Sequence, residues 1–229
     1  MLAEKYPPVY SGAGQQAYYL SKSLTNYGHQ ITVLTQHKNG LQKKERQDGF
    51  KVVRLKSLGG RVLFSYLFGI KAALWLLLRW NQFDILHVHG INLWGLPAML
   101  IARLLGMSVV AKMTLLGEDD PPGLEKMKFG RLRKKVYWFP HKVIALTQAQ
   151  LEQYRRSEFP NHKVVQIPNG VDLSRYFPVS AESKVSLKKN KMDTIVAKLA
   201  PTTPIRGIKI KFNRKLVATP KMFAHKSIR

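Results

Sequence analysis

The chain has 229 residues, 38 Lys+Arg against 13 Asp+Glu, and a formal net charge of +25. A hydrophobic content of 45% with 10% aromatics supports a folded core and excludes a wholly disordered chain. It contains no cysteine, which excludes a disulfide scaffold, a Cys-ligated zinc site, an iron–sulfur cluster and a thiol nucleophile.

Met1-Leu2-Ala3 reads as the last residues of a strand ahead of a glycine-bearing loop, so most of a first strand is expected to be missing. The opening residues lack the apolar run of a signal peptide, and the expected compartment is cytoplasmic. Residues 15–27 place Ala17, Leu20, Leu24 and Tyr27 at helical spacing, with Gly28 as the stop. Residues 30–35 and 50–55 are apolar and β-branched and predict strands. Residues 62–80 are apolar around Lys71; 62–78 is short for a membrane span, so a buried or interfacial helix is expected. Residues 84–89 predict a strand, 93–105 an apolar helix ending at Gly106, and 107–113 another strand. A basic helix is expected over 127–138, then strands at 142–147 and 163–167 flanking a helix at 148–157. Strands alternating with helices imply βαβ units: an α/β, Rossmann-like parallel sheet with helices on both faces and right-handed crossovers.

Residues 1–179 carry 25 basic and 11 acidic side chains, whereas 180–229 carry 13 basic and 2 acidic. We therefore expect a domain over 1–178 and a basic tail over 179–229. The positive excess points to a polyanionic neighbour, with phosphates, nucleic acid and anionic lipid as candidates.

Four stretches could carry chemistry. Within Tyr6–Ala17, the residues Gly12, Gly14 and Ala17 satisfy G-x-G-x-x-A, a pattern that brings backbone close to a phosphate at a helix N-terminus. A dinucleotide is disfavoured, because two prolines intervene and Thr35-Gln36-His37-Lys38 offers no carboxylate for a ribose. A phosphate-cradling loop and an ordinary glycine turn both remain open. In Asp84–Gly90, His87 and His89 share one face of a strand near its carboxyl end. His89, followed by Gly90, is the better site candidate; His87 reads as a satisfied, partly buried histidine. Two histidines without a third ligand do not make a metal site. In Lys112–Asp120 a strand end leads into Gly117 and the acids Glu118, Asp119 and Asp120. These acids could accept substrate hydroxyls, bind a cation, or merely cap the following helix. In Ile167–Asp172, Pro168-Asn169-Gly170 is a turn signal. Finally, residues 126–135 hold six basic side chains around Met127, Phe129 and Leu132. They read either as a solvated basic face or as a peripheral contact with anionic membrane.

In this order and spacing, YPPVYSGAG with YGHQITVLT, DILHVHG, KMTLLGEDD, and IALT with IPNGVD and YFP resemble the N-terminal half of family-4-like glycosyltransferases of the GT-B fold. The likeness covers about residues 1–178. It implies the acceptor-side domain of a two-domain enzyme that transfers a hexose from a nucleotide sugar to a hydroxyl with retention, without a metal. The resemblance implies a nucleotide sugar as donor and a sugar or lipid-linked acceptor, in polysaccharide biosynthesis. It further implies that Ser11, Gly12 and Ala13 approach the donor phosphates and that Gly14 and Gln15 lie on the acceptor side. His89 and Gly90 would line the cleft, Thr114, Gly117, Glu118 and Asp119 would sit near the reacting sugar, and Asn169 and Gly170 would stand at the junction with the second domain.

The sequence departs from the family in three places. Ser11-Gly12 stands where many members have two glycines. Leu115-Leu116-Gly117 stands where many have His-Gly. Beyond Glu182 there is no glutamate, so the family's donor-binding glutamates have no counterpart, and Thr194-Ile195-Val196 and Arg206-Gly207 only faintly echo a second domain. Residues 179–229 are thus expected to be a stub or degenerate remnant, leaving the isolated chain with little or no transfer activity. The rival readings are a non-catalytic binding subunit that partners a separate donor-binding chain, and a basic protein binding anionic lipid or nucleic acid. Nucleic acid ranks last, for want of a recognised motif.

Overall fold

A computed structural model describes residues 1–56 and 61–170 of the chain. The tail over 179–229, with its echoes of a second domain, and the YFP segment lie outside the described residues.

The strands are β1 (Leu2–Ala3), β2 (Thr32–Gln36), β3 (Lys44–Gln47), β4 (Phe50–Leu55), β5 (Ile85–His89), β6 (Ser108–Lys112), β7 (Lys142–Ala145) and β8 (Val164–Gln166). They form one sheet in the order β3-β4-β2-β1-β5-β6-β7-β8. All neighbours are parallel except the β3–β4 hairpin. The helices are α1 (Gly12–Asn26), α2 (Arg61–Leu77), α3 (Leu96–Leu104), α4 (Pro121–Lys126), α5 (Gly130–Lys134) and α6 (Gln148–Arg155). This is the expected α/β, Rossmann-like architecture.

The short β1 lies in the middle of the sheet. Leu2 pairs with Leu34 on one side and Val88 on the other, and Ala3 pairs with His89. Period-two alternation sorts the strands onto two faces. Leu2, Leu34, Val53, Leu86, Val88, Val109 and Ala111 join the larger core, whereas Ala3, Val33 and Val52 join the smaller one with Ala17 of α1. His87, His89 and Lys112 fall on the smaller-core face by the same alternation. On the larger core, α2 packs so closely against the 3-10 turn Leu93–Gly95, which leads into α3, that a Cβ on Gly69 would lie 1.8 Å from the Trp94 carbonyl oxygen. Among the described residues no helix is long and apolar enough to cross a membrane.

Three elements differ from the sequence reading. Helix α1 begins at Gly12, not residue 15, because the Ser11 hydroxyl accepts from the Gly14 N–H at 2.9 Å and caps it. The basic helix over 127–138 is broken. Asp120 caps α4, with Pro121-Pro122 in the first turn where missing N–H groups cost nothing, and the chain resets at Phe129 before α5 and a 3-10 turn over Lys135–Trp138. Strand β3, KERQ, has no apolar signal, yet it pairs antiparallel with β4. Its turn is Asp48-Gly49, both with positive φ (45° and 86°), and that dipeptide was the hairpin signal to read.

Candidate functional site

The chain runs outward from β1 through β2 to β4 and returns to β5 on the other side of β1. Loops leaving the carboxyl ends of β1 and β5 therefore diverge, opening the crevice at which doubly wound sheets bind ligands. The first loop, the His89-Gly90 turn and the loop after β6 all leave the carboxyl ends of the neighbouring strands β1, β5 and β6 there.

The first loop runs from Glu4 to Ser11 and delivers α1. Arg54, buried at the end of β4, holds it: its Nη2 donates to the Pro7 carbonyl at 3.0 Å and to Glu45 Oε1 at 2.7 Å, and its Nη1 to the Gln42 carbonyl at 3.1 Å. Tyr6, also buried, donates from its hydroxyl to Gln47 Oε1 at 3.1 Å. Sequence reasoning missed Arg54, although an arginine inside the apolar FKVVRL strand was its signal. Gly14 is buried, and a Cβ there would lie 2.3 Å from the Lys5 carbonyl oxygen, so this glycine lets α1 close against the loop. Gly12 is exposed with open space where its Cβ would be. Gly12 and Ala13 open the helix, where N–H groups have no preceding turn to donate to and the helix dipole is positive. Gln15 is half-buried in the next turn, and its N–H returns to the Ser11 carbonyl at 2.9 Å.

At the end of β5, the rings of His87 and His89 stack with centroids 4.4 Å apart and planes at 23°. His89 is buried, and among the described residues neither of its ring nitrogens has a hydrogen-bond partner; nor does Nε2 of His87. His87 is thus partly buried as expected, but it is stacked and not hydrogen-bonded at that nitrogen. Burial, reinforced by the cationic surroundings, lowers His87 to about 3 and puts His89 well below the ordinary histidine value, so both rings are neutral at physiological pH. Lys112, paired with His89 across β5–β6, is buried as well, and burial lowers its pKa. Gly90 follows with φ +89°, a left-handed turn that carries the chain over the strand end; a Cβ would meet Thr114 Oγ1 at 3.7 Å and Asp119 Oδ2 at 3.8 Å.

The loop after β6 is organised around Asp119. Its carboxylate accepts from the Thr114 N–H at 2.8 Å, the Thr114 hydroxyl at 2.7 Å, the Leu115 N–H at 2.8 Å and the Ile91 N–H at 3.3 Å. It thereby ties the β5 and β6 loops together. Burial raises the Asp119 pKa, while its hydrogen bonds act in the opposite sense. Asp120, fully buried, accepts from the Gly123 N–H at 2.6 Å as the cap of α4 and also from the Gly117 N–H. Tyr137 donates from its hydroxyl to the Asp119 carbonyl. Of the three acids, Glu118 alone is exposed, as is Gly117 beside it. Asn169 and Gly170 are exposed just past β8, three strands along the sheet from β5. Among the described residues no cluster of three or more potential metal ligands is present.

Sequence and structural comparisons agree with this fold. Residues 10–175 match the family model described as Glycosyltransferase Family 4. The chain belongs to that family. A crystal structure of Anabaena Alr3699/HepE in complex with UDP superposes with a TM-score of 0.56 at 15% identity, over 83% of this chain and 49% of that one. The same Anabaena protein in complex with UDP-glucose gives 0.56 at 12%, over the same shares. At such identities the likeness is one of fold, and the chain spans about half the length of these structures. No curated protein matches the chain significantly.

Proposed function

We propose that this family member is the acceptor-side half of a nucleotide-sugar-dependent glycosyltransferase that moves a hexose to a hydroxyl with retention. The observation that carries the reading is that the exposed start of α1, the Gly90 turn and the Asp119-tied loop all follow the carboxyl ends of neighbouring strands at the sheet's switch point. In this reading the N–H groups of Gly12 and Ala13, with Ser11, face the donor diphosphate, where charge accumulates on the leaving group. Because the Anabaena structures are complexes with UDP and UDP-glucose, a uridine diphosphate sugar is the first probe. His89, neutral and buried under Gly90, forms the floor of the cleft, and Gly14 and Gln15 border the acceptor. Glu118 and Thr114 are the candidates to meet sugar hydroxyls, because Asp119 already accepts several donors inside the loop. Asn169 and Gly170 lead toward a second, donor-binding domain. The acceptor is a sugar or lipid-linked sugar, reached from the cytoplasmic face of a membrane.

Sugar transfer from labelled nucleotide sugars to a lipid-linked acceptor pool tests this. The chain alone should transfer little or nothing, and the chain joined to a donor-binding domain should transfer. Robust transfer by the chain alone would contradict the half-enzyme reading, and no transfer by the joined form would contradict the transferase reading.

A further inference from the structure

The segment from Lys126 to Trp138 leaves part of its apolar side chains on the outer side, where a surface element ordinarily carries polar ones. Its inner side is built by Gly130, Val136 and Tyr137, which are buried. The inner cations are engaged: Arg133 donates to the Lys128 carbonyl at 2.8 Å and to Asn92 Oδ1 at 3.1 Å, and Lys134 pairs with Glu125 at 2.9 Å and Glu158 at 3.5 Å. On the outer side, Phe129 is 69% exposed, Leu132 60% and Trp138 45%. Exposed Lys128, Arg131 and Lys135 are interspersed with them along the same segment. Phe129 stands in the left-handed region at φ 60°, a costly backbone for a bulky residue, and its ring is nonetheless presented to solvent. From Lys126 to Leu151 the sequence contains no carboxylate. The segment follows on α4, whose cap, Asp120, also holds the Gly117 loop.

We propose that this outer face docks on an anionic lipid bilayer, with Phe129, Leu132 and Trp138 entering the headgroup–acyl boundary and Lys128, Arg131 and Lys135 facing lipid phosphates. The charge pattern alone would suit any polyanion. The aliphatic Leu132 between the cations decides for lipid, since it has no stacking role on a nucleic acid but gains from leaving water in a bilayer. Trp138 is held by an edge-to-face contact with Phe159 at 5.3 Å and suits the amphipathic interface. The inference deepens the lipid-linked acceptor reading and rests on it only for its purpose; vesicle binding and sugar transfer can fail separately.

The test is co-sedimentation of the full chain with vesicles of phosphatidylglycerol and phosphatidylcholine, and with phosphatidylcholine alone. The chain should bind the mixed vesicles and not the neutral ones. Lys128→Glu/Arg131→Glu/Lys135→Glu should weaken partition by on the order of a hundredfold or more. The control Lys43→Glu/Lys44→Glu/Lys51→Glu changes the net charge equally at exposed positions on the far edge of the sheet, and should bind much more tightly than the first variant. Phe129→Gly relieves the left-handed strain, so it should raise the melting temperature while lowering partition by about tenfold. Equal losses in the two triple variants, equal binding to neutral vesicles, unchanged partition of Phe129→Gly, or tighter binding of the same face to an oligonucleotide than to vesicles would each overturn the proposal.

Discussion

The two loops that frame the crevice spend their polar groups in opposite ways. The loop after β6 carries the acids that look catalytic in sequence, but Asp119 and Asp120 accept the loop's own N–H groups and the turn of α4. The first loop has little obvious chemistry, and it leaves the start of α1 uncovered while distant groups, Arg54 and Tyr6, hold its shape. A carboxylate beside a cluster of N–H groups is an internal tether before it is a ligand.

Substitutions can break or sharpen this contrast. The largest effect is expected at Asp119→Ala, which strands the N–H groups of Thr114, Leu115 and Ile91 and should cost about 3 kcal/mol in denaturant unfolding. Glu118→Ala should stay within about 0.5 kcal/mol, and equal losses at the two would erase the distinction between tether and free acid. In the first loop, Gly14→Ala forces a Cβ to 2.3 Å from the Lys5 carbonyl oxygen and should cost about 2 kcal/mol in the same measurement. Gly12→Ala, in open space, should change stability by only about 0.5 kcal/mol or less, in the stabilising direction from helix propensity, while weakening any phosphate contact.

Per pH unit, a smaller effect is expected from acid. The unfolded His87 imidazole takes up a proton below its ordinary value of 6.5, whereas the folded ring resists until about 3. Across that window the unfolded state binds more protons, so stability falls as pH falls, by about 1.4 kcal/mol per pH unit for one such ring. His89 acts in the same direction, and Asp119, raised by burial, offsets part of the loss near the carboxylate range. Melting temperature against pH should therefore show a steeper acid limb in the unaltered chain than in His87→Leu. Parallel limbs would show that the stacked rings are not the buried neutral pair described here.

Much of the fold was legible because alternation and helical spacing are local signals. Val33 and Leu34, or Val52 and Val53, announce two buried faces on adjacent residues. The position of the candidate site was legible too, because Asp84–Gly90 reads as a strand end carrying histidines. Three features were hidden for physical reasons. Strand β3 is polar and exists by pairing with β4, so only the Asp48-Gly49 turn betrays it. The break at Phe129 depends on Asp120 capping an earlier turn and on Gly130, where a Cβ would lie 1.8 Å from the Glu125 carbonyl oxygen. The roles of Asp119 and Arg54 rest on partners up to 28 and 47 residues away, beyond the reach of a local pattern.

The central claim, that the start of α1 and the turns beside it face the donor diphosphate, is most directly tested by backbone amide NMR during titration with UDP-glucose. The account predicts saturable shifts concentrated at Gly12, Ala13 and Gly90, extending to Thr114 and Gly117 and reduced in Gly12→Ala. Shifts confined to the basic residues beyond 179, or an unchanged Gly12–Ala13 pair at saturation, would contradict it.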